Sequence, residues 1–523
     1  MIGYIYVMNK ILRTSLLSLT TLLLLIIIGW FYTNFTIKNK ITYFLENRLP
    51  NHINLQYDDL TLNIFEGTVH CLNPKVLIGN KMDTIIHTRV LAEKFILEDV
   101  SYWDYVLKDK ITIEDIKIQS AKIEYYIDKF HPEGSINERT PLVQLYKDLI
   151  VEELSVDNAQ LKIYNGKKDP LLFSGDALTL EIDDILINQK TLTQKIPFKY
   201  SGYNAEGSQI FLQAGPYENL TLSHFLIEKN RAQLDTINLK TKYSRHQLSQ
   251  TTPNERDHYN LKVDQVNIEA LNFGFIEAKF FGSSRQINMK NPSLDIYRDK
   301  LVADDLSEKS LYSKMIRDIP FDLTIDTLSI KDGSISYNER IKKENNGGAI
   351  TFKKISTEIV NLSNTYEIGI KTEINISAIF MKTTPIKVGW GFDVNDQTDK
   401  FLLKGEVGKL PSADLNPFTE PNLNVKLTGM TDKLYFTVDG NNSRSTIDMR
   451  MKYENFKIEL MQKKGIGINK LLSKVANIFI RNNSKSDEGA FTEGSVTVQR
   501  DTTKSFFNYL WLNLRNGLLK TLS

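Results

Sequence analysis

The stretch "ITIEDIKIQSAKIEYY" at residues 111–126 alternates apolar and polar residues, which predicts a β-strand with one apolar face. The alternation slips by one position at 114–115, and a small residue, Ala121, follows six positions later. The same pattern returns as "LIVEELSVDNAQLKIY" at 149–164 and as "LTIDTLSIKDGSISYN" at 323–338. The slip predicts a β-bulge that keeps the apolar side chains on one face. The small-residue step predicts either a second bend or a tight hairpin turn.

Twelve apolar residues hold corresponding positions in these three copies and are the candidates for lining an apolar groove. They are Ile113, Ile116, Ile118, Ile123, Val151, Leu154, Val156, Leu161, Ile325, Leu328, Ile330 and Ile335. Looser copies occur at 60–72 and 261–273, and further alternating segments fill most of the chain. The pattern predicts a mainly β protein with an antiparallel sheet and no βαβ units. A half-apolar sheet of this length folds either as several sandwiches in a row or as one elongated, curled sheet with an open groove.

The N-terminal 37 residues predict a membrane anchor. From 14 to 35 there is no charged residue, and "LLLLIIIGWFY" at 22–32 is long and apolar enough for a transmembrane helix. A cleaved signal peptide and a buried core helix are the alternatives, but no small-residue cleavage site follows the apolar run. In a Gram-negative cell, a short head before a large body predicts a single-pass inner-membrane protein with a cytoplasmic N-terminus and a periplasmic body.

The remaining chain is predicted to comprise two β-groove regions and a helical end. The first groove region, with a short linker helix, is 38–260, the second is 261–464, and C-terminal helices with a short strand occupy 465–523. The last helix, predicted within 504–522, has an apolar stripe at helical spacing. Its residues are Phe507, Leu510, Trp511, Leu514, Leu518 and Leu522. The stripe predicts either a cap on the end of the sheet or a contact with a membrane interface.

Composition and motifs give no indication of catalysis. The net charge of +2 predicts no nucleic-acid partner, and the single cysteine, Cys71, is predicted to be a small buried hydrophobe. None of the seven histidines has metal-helix spacing, and no nucleophile elbow or phosphate loop occurs. Adjacent carboxylates such as those at 152–153 are predicted to be solvated. The sequence therefore predicts a protein that is not an enzyme and that binds no cofactor or metal.

Segments 41–78, 294–305, 319–340 and 493–522 resemble AsmA-like proteins, and the last three are similar to AsmA-related proteins of Bacteroidota. The resemblance implies an elongated periplasmic β-groove tied to the inner membrane, in a bridge-like superfamily that moves phospholipid between membranes. Its implied partners are phospholipid or other acyl chains and the inner membrane. The alternative function is a structural factor that modulates outer-membrane protein biogenesis through sheet-edge contacts, with an outer-membrane or periplasmic protein at the C-terminal end.

Overall fold

The computed structural model describes most of the chain between residue 49 and the C-terminus. The described residues are 38–39, 42–43, 45, 49–63, 66–101, 104, 107–108, 110–131, 147–166, 171–194, 196–277, 279–461, 484 and 490–523. The predicted anchor at 14–35 and the first part of the predicted C-terminal helices, 465–483, lie outside these residues. Within them, no helix combines the length and the apolar character that a membrane crossing requires.

The protein is mainly β, and its contacts divide it into two compact units. Unit 1 is Met1–Ile210 and unit 2 is Phe211–Ser523. The boundary predicted between residues 260 and 261 falls inside a continuous strand, Asp257–Glu269.

The described residues of unit 1 lie mostly in strands, and residues 38–39, 42–43 and 45 are helical. Its strands are β1 (Ile53–Gln56), β2 (Asp59–Asn63), β3 (Thr68–Leu72), β4 (Lys75–Gly79), β5 (Ile86–Leu91), β6 (Lys94–Ser101), β7 (Lys110–Gln119), β8 (Lys122–Tyr126), β9 (Asp148–Tyr164), β10 (Leu171–Ile187) and β11 (Gly202–Leu212), which ends just past the boundary. 3-10 turns occur at Ile127–Lys129 and Thr191–Thr193.

Several successive strands of unit 1 lie end to end, so that two short strands act as one long strand with a break. β1 pairs with β4 while β2 pairs with β3, and β5 pairs with β8 while β6 pairs with β7. At the break between β7 and β8, Ser120 has a φ of 52° and its N–H donates to the Asp157 carbonyl at 2.9 Å. Beyond the break, the Gln160 N–H donates to the Ala121 carbonyl at 2.7 Å. The small-residue step is therefore a bend within one strand and not a hairpin turn.

The sheet is mixed and not purely antiparallel as predicted. β9 runs parallel to both β7 and β8, and antiparallel to β10. Parallel neighbours need a crossover of a dozen or more residues, and the connection over 127–147 supplies it. Alternation alone does not distinguish the two pairings, because it is the same in parallel and antiparallel strands.

Within its described residues, unit 2 contains the remaining strands and four α-helices. Its strands are β12 (Glu218–Glu228), β13 (Arg231–Thr241), β14 (Asp257–Glu269), β15 (Asn272–Ile276), β16 (Lys279–Lys290), β17 (Ser293–Asp299), β18 (Asp322–Arg340), β19 (Gly348–Ser363), β20 (Lys371–Phe380), β21 (Thr384–Asp393), β22 (Phe401–Val407), β23 (Leu410–Pro411), β24 (Val425–Gly440), β25 (Arg444–Leu460) and β26 (Thr492–Gln499). Its helices are α1 (Arg245–Thr251), α2 (Tyr312–Arg317), α3 (Asn416–Leu423) and α4 (Phe506–Leu522), with a 3-10 turn at Ser412–Leu415.

The topology of unit 2 repeats that of unit 1 and then extends it. β12, β13 and β14 are antiparallel, and β14 pairs with both β16 and β17. β16 and β17 both run parallel to β18, the third copy of the repeat, after a crossover over 300–321 that contains α2. From β18 to β22, and on through β24 to β26, successive strands are antiparallel.

The register does not change at the slip where the bulge was predicted. Ile113 pairs with Val151 and Asp115 with Glu153, which is one continuous register. Because both strands carry the same slip, neither has an extra residue relative to the other. Ile113 and Ile116 still pack into the same cluster, so the apolar side chains remain on one face. The register shifts of β9–β10 and β18–β19 include shifts at the small-residue steps.

Candidate apolar binding face

The first two copies of the repeat lie side by side in unit 1, and their corresponding residues are direct neighbours. The pairs are Ile113 with Val151, Ile116 with Leu154, Ile118 with Val156, and Ile123 with Leu161. Cross-strand partners point to the same face of a sheet. Of these eight predicted groove residues, Ile113 and Val151 are buried at 7% and 2% exposure, and the other six are half-buried.

A small core forms where these strands meet β6 and β10. Ile113 and Val151 pack with Ile182 and Ile185, and Leu154 is among the half-buried residues around them. Few residues of this cluster are fully buried, so most apolar side chains on this face of unit 1 are partly exposed.

The third copy, β18, contributes Ile325, which is buried at 9% exposure, and the half-buried Leu328, Ile330 and Ile335. Two of these residues belong to apolar rows that cross unit 2 from strand to strand. Row A is Ile227, Ala232, Ile268, Ile287, Leu328, Ile359, Ile374, Trp390, Leu403, Val438, Ile447 and Val496. Row B is Phe225, Leu234, Val266, Met289, Ile330, Thr357, Ile376, Val388, Gly405, Phe436 and Met449.

Burial changes along these rows. On β12 to β20 eleven of the fourteen side chains are only half-buried, whereas Ala232, Val266 and Thr357 are buried, and we call this part of rows A and B the open apolar face. Further along row A, Leu403, Val438 and Ile447 are 3%, 1% and 0% exposed. The same apolar strip is therefore open at one end and covered at the other.

Helix α4 provides much of the cover, and it docks through small and polar residues. A Cβ on Gly517 would lie 3.1 Å from Ile447 Cδ1, so the helix backbone closely approaches the sheet. Asn513, which is fully buried, accepts a hydrogen bond from the Ser445 hydroxyl at 2.8 Å. Thr521 is buried and donates to the Gly517 carbonyl at 2.8 Å. Each of these polar side chains therefore has a partner, as buried polar groups require.

The predicted stripe of α4 lies on the flank of this contact. Leu522 is buried, and Leu510, Leu514 and Leu518 are half-buried against the core. Phe507 and Trp511 remain 62% and 39% exposed. Sequence reasoning missed the docking residues because Asn513, Gly517 and Thr521 are not apolar, although their four-residue spacing marks one helix face.

An aromatic cluster stands where the open face meets the cover. The Tyr312 ring of α2 lies 5.4 Å from the ring of Trp390 in row A, and the Trp390 ring stacks on Phe506 at 4.6 Å. Phe507 lies 6.3 Å from Tyr312. We call these four residues the aromatic border. They come from two helices and one strand, and only Phe507 was singled out from the sequence, as part of the apolar stripe of α4.

The opposite face of the same strands is polar. A shallow depression of ≈ 680 Å³ crosses β18 to β24, and Lys387, Lys404, Glu406 and Tyr435 line it. The neighbouring Phe436 packs into the core, so the depression lies on the other side of the sheet. Its charged lining residues are three lysines and two glutamates, so it has no marked net charge.

Unit 1 carries a ladder of carboxylates at the level of the slip. Four adjacent strands contribute two each: Glu98, Asp99, Glu114, Asp115, Glu152, Glu153, Asp183 and Asp184. Repulsion by Asp99 is the main cause that raises the pKa of Glu114. Partial burial, followed by the charges of Asp115, Glu181 and Asp183, raises the pKa of Glu153. Within the part of the chain that the structure describes, no group of His, Cys, Asp and Glu is arranged to hold a metal ion.

Cys71 is buried at 6% exposure, as predicted, and burial is the main cause that raises the pKa of its thiol.

No model of a known protein family matches the chain, and no curated protein is similar enough to match it either. The resemblance to AsmA-like proteins therefore stays a prediction.

Proposed function

We propose that the protein binds acyl chains of phospholipid or another lipid on the open apolar face of unit 2, and on the corresponding face of unit 1, in lipid transfer or lipid homeostasis at the cell envelope. The observation that carries the proposal is the continuity of rows A and B. They present one apolar strip across neighbouring strands, and most of its side chains from β12 to β20 are only half-buried.

Such a strip is costly to leave in water. Burying apolar surface lowers the free energy by ~25 cal/mol for each Å² removed from water. Large exposed apolar patches on proteins therefore commonly mark binding surfaces. Methylene chains match this surface chemically, because they offer no polar group that needs a partner. A surface that binds methylene chains needs no unique residue, so it can be built from copies of one half-apolar strand pattern. The repeat in the sequence agrees with this.

The proposal places the protein in the inner membrane of a Gram-negative cell. The uncharged run at 14–35 supports a single anchor helix with a cytoplasmic N-terminus and a periplasmic body. The proposed role is binding and passage of lipid, without catalysis or a cofactor.

Photo-crosslinking in cells tests the proposal directly. A photo-crosslinking amino acid replaces Ile330 or Ile376 in row B of the full-length protein, and Ser377 serves as the matched control. Ser377 is exposed and follows Ile376 in the strand, so its side chain points to the opposite face. Lipid captured at Ile330 and Ile376 but not at Ser377 supports the proposal. Equal capture at all three positions, or none, rejects it.

The edge strand β26 favours the alternative function, in which a strand of a partner protein would add to the sheet. Among the described residues, β26 pairs with β25 alone, and its sequence "TEGSVTVQ" has no Lys or Pro to block a further strand. Lys substitutions at Ser495 and Thr497 would discourage strand addition. If this function is correct, they abolish crosslinks from β26 to an outer-membrane assembly protein and leave lipid capture at Ile376 intact. Unchanged crosslinks would reject it.

A further inference from the structure

The aromatic border lies where the open apolar face ends. Row A passes from the half-buried Ile359, Ile374 and Trp390 to the buried Leu403 beneath the helical cover. Ile374 and Trp390 already pack against the core of unit 2. The open face therefore ends against a packed core, and its border there is aromatic.

The open face is continuous with an interface that is already occupied. α4 covers row A at Ile447 and row B at Met449, where a Cβ on Gly517 would lie 3.1 and 3.0 Å from their side chains. An amphipathic helix thus occupies one end of the strip and leaves the rest to a second apolar occupant. Phe507 is 62% exposed although the adjacent Phe506 is 5% exposed, so it has apolar surface that the described part of the chain leaves uncovered.

The open face is long enough for a lipid chain. It crosses β12, β13, β14, β16, β18, β19 and β20, which at ~4.8 Å per strand gives roughly 29 Å. A bilayer core of ~30 Å contains two leaflets, so the chains of one leaflet reach about half that distance. One chain fits between the border and the middle of the face.

Resting on the lipid-binding function proposed above, we propose that a bound lipid abuts the aromatic border with the methyl end of its acyl chain. Phe507 and Tyr312 contact the chain end. The methyl end gains most from the enclosed apolar environment, whereas a charged or zwitterionic headgroup would lose hydration there. The headgroup therefore lies away from the border, toward β12 or the edge of the face.

Fluorescence quenching by brominated phospholipid tests this orientation in the full-length protein. Replacing Trp30, Trp103 and Trp511 by Phe leaves Trp390 as the only indole, and bromine quenches it on contact. Phospholipid brominated near the methyl end of one chain should quench Trp390 at least twice as strongly as phospholipid brominated near the headgroup. A second protein with all four native tryptophans replaced by Phe and with Phe225→Trp reports the far end of row B, where this preference should vanish or reverse.

Affinity provides a second readout. Phe507→Ala should weaken binding of the same phospholipid roughly threefold to tenfold, because it removes apolar contact with the chain end. Tyr435→Ala, an equal loss of an aromatic ring on the polar face, should leave affinity unchanged. Thermal unfolding of both variants checks that α4 remains docked.

The outcomes separate the two proposals. No quenching at Trp390 or at Phe225→Trp would reject lipid binding on this face altogether. Quenching at Phe225→Trp with equal or reversed preference at Trp390 would reject the orientation and leave lipid binding in place. Unchanged affinity in Phe507→Ala would likewise overturn the role of the border.

Discussion

The close approach of α4 to the sheet predicts a size limit at Gly517. A Cβ there would lie 3.0 Å from Met449 Cε and 3.1 Å from Ile447 Cδ1. Both contacts are with the ends of side chains, which can shift by a few tenths of an ångström. Gly517→Ala should therefore be nearly neutral, because the tight contact is offset by a gain of about 1 kcal/mol in helix propensity.

Gly517→Leu adds further carbons where Ile447 and Met449 already fill the space, at 0% and 3% exposure. Overpacking a filled core costs ~1–3 kcal/mol, and Ala and Leu differ little in helix propensity. The Leu variant should therefore be less stable than the Ala variant by about 1–3 kcal/mol. Lys520, which is exposed on the same helix, provides the matched control: Lys520→Leu and Lys520→Ala should differ by less than about 0.5 kcal/mol.

Urea unfolding followed by tryptophan fluorescence measures these differences, because the Trp390 ring stacks on Phe506 of α4 at 4.6 Å. A Leu variant at Gly517 as stable as the Ala variant would refute the docking of α4 through its small residues. A large difference between the two Lys520 variants would show that the effect belongs to the helix itself and not to its contact with the sheet.

Three further predictions concern burial and charge. Ile447→Ala, under the cover of row A, should cost ~2–5 kcal/mol of unfolding free energy, whereas Ile359→Ala on the open face should cost about 1 kcal/mol; equal losses in denaturation would contradict the open face. Because the pKa of Glu153 is raised in the fold, the folded state is favoured at low pH and loses stability as pH rises through that pKa. Glu153→Gln should therefore raise the free energy of unfolding at neutral pH by less than about 1 kcal/mol. Slower hydrogen exchange in β9, with a flatter pH dependence, would show this gain. Asp257 accepts two hydrogen bonds from the largely buried Arg298, each at 2.6 Å. Asp257→Asn should therefore lower the free energy of unfolding by about 2–3 kcal/mol. A loss below about 0.5 kcal/mol in thermal or urea unfolding would contradict the pairing of Asp257 with Arg298.

The sequence alone determined the strands and the alignment of their repeats. Period-two alternation is a local property, so it marked β7, β8, β9 and β18 correctly. The repeat also matched Ile116 with Leu154, which are partners across the parallel ladder. This agreement has a physical reason: adjacent strands that share one face must carry their apolar residues and their slips at the same level.

Only the tertiary structure decided which strands are parallel, where the apolar strip is covered, and how α4 docks. Alternation is identical in parallel and antiparallel strands, so direction depends on where the crossover connection returns the chain. Exposure depends on which distant segment covers a face, and Ile359 and Ile447 read alike in sequence although only Ile447 lies beneath the cover. The docking face of α4 follows from close backbone approach, which favours the small Gly517 over the larger leucines of the apolar stripe.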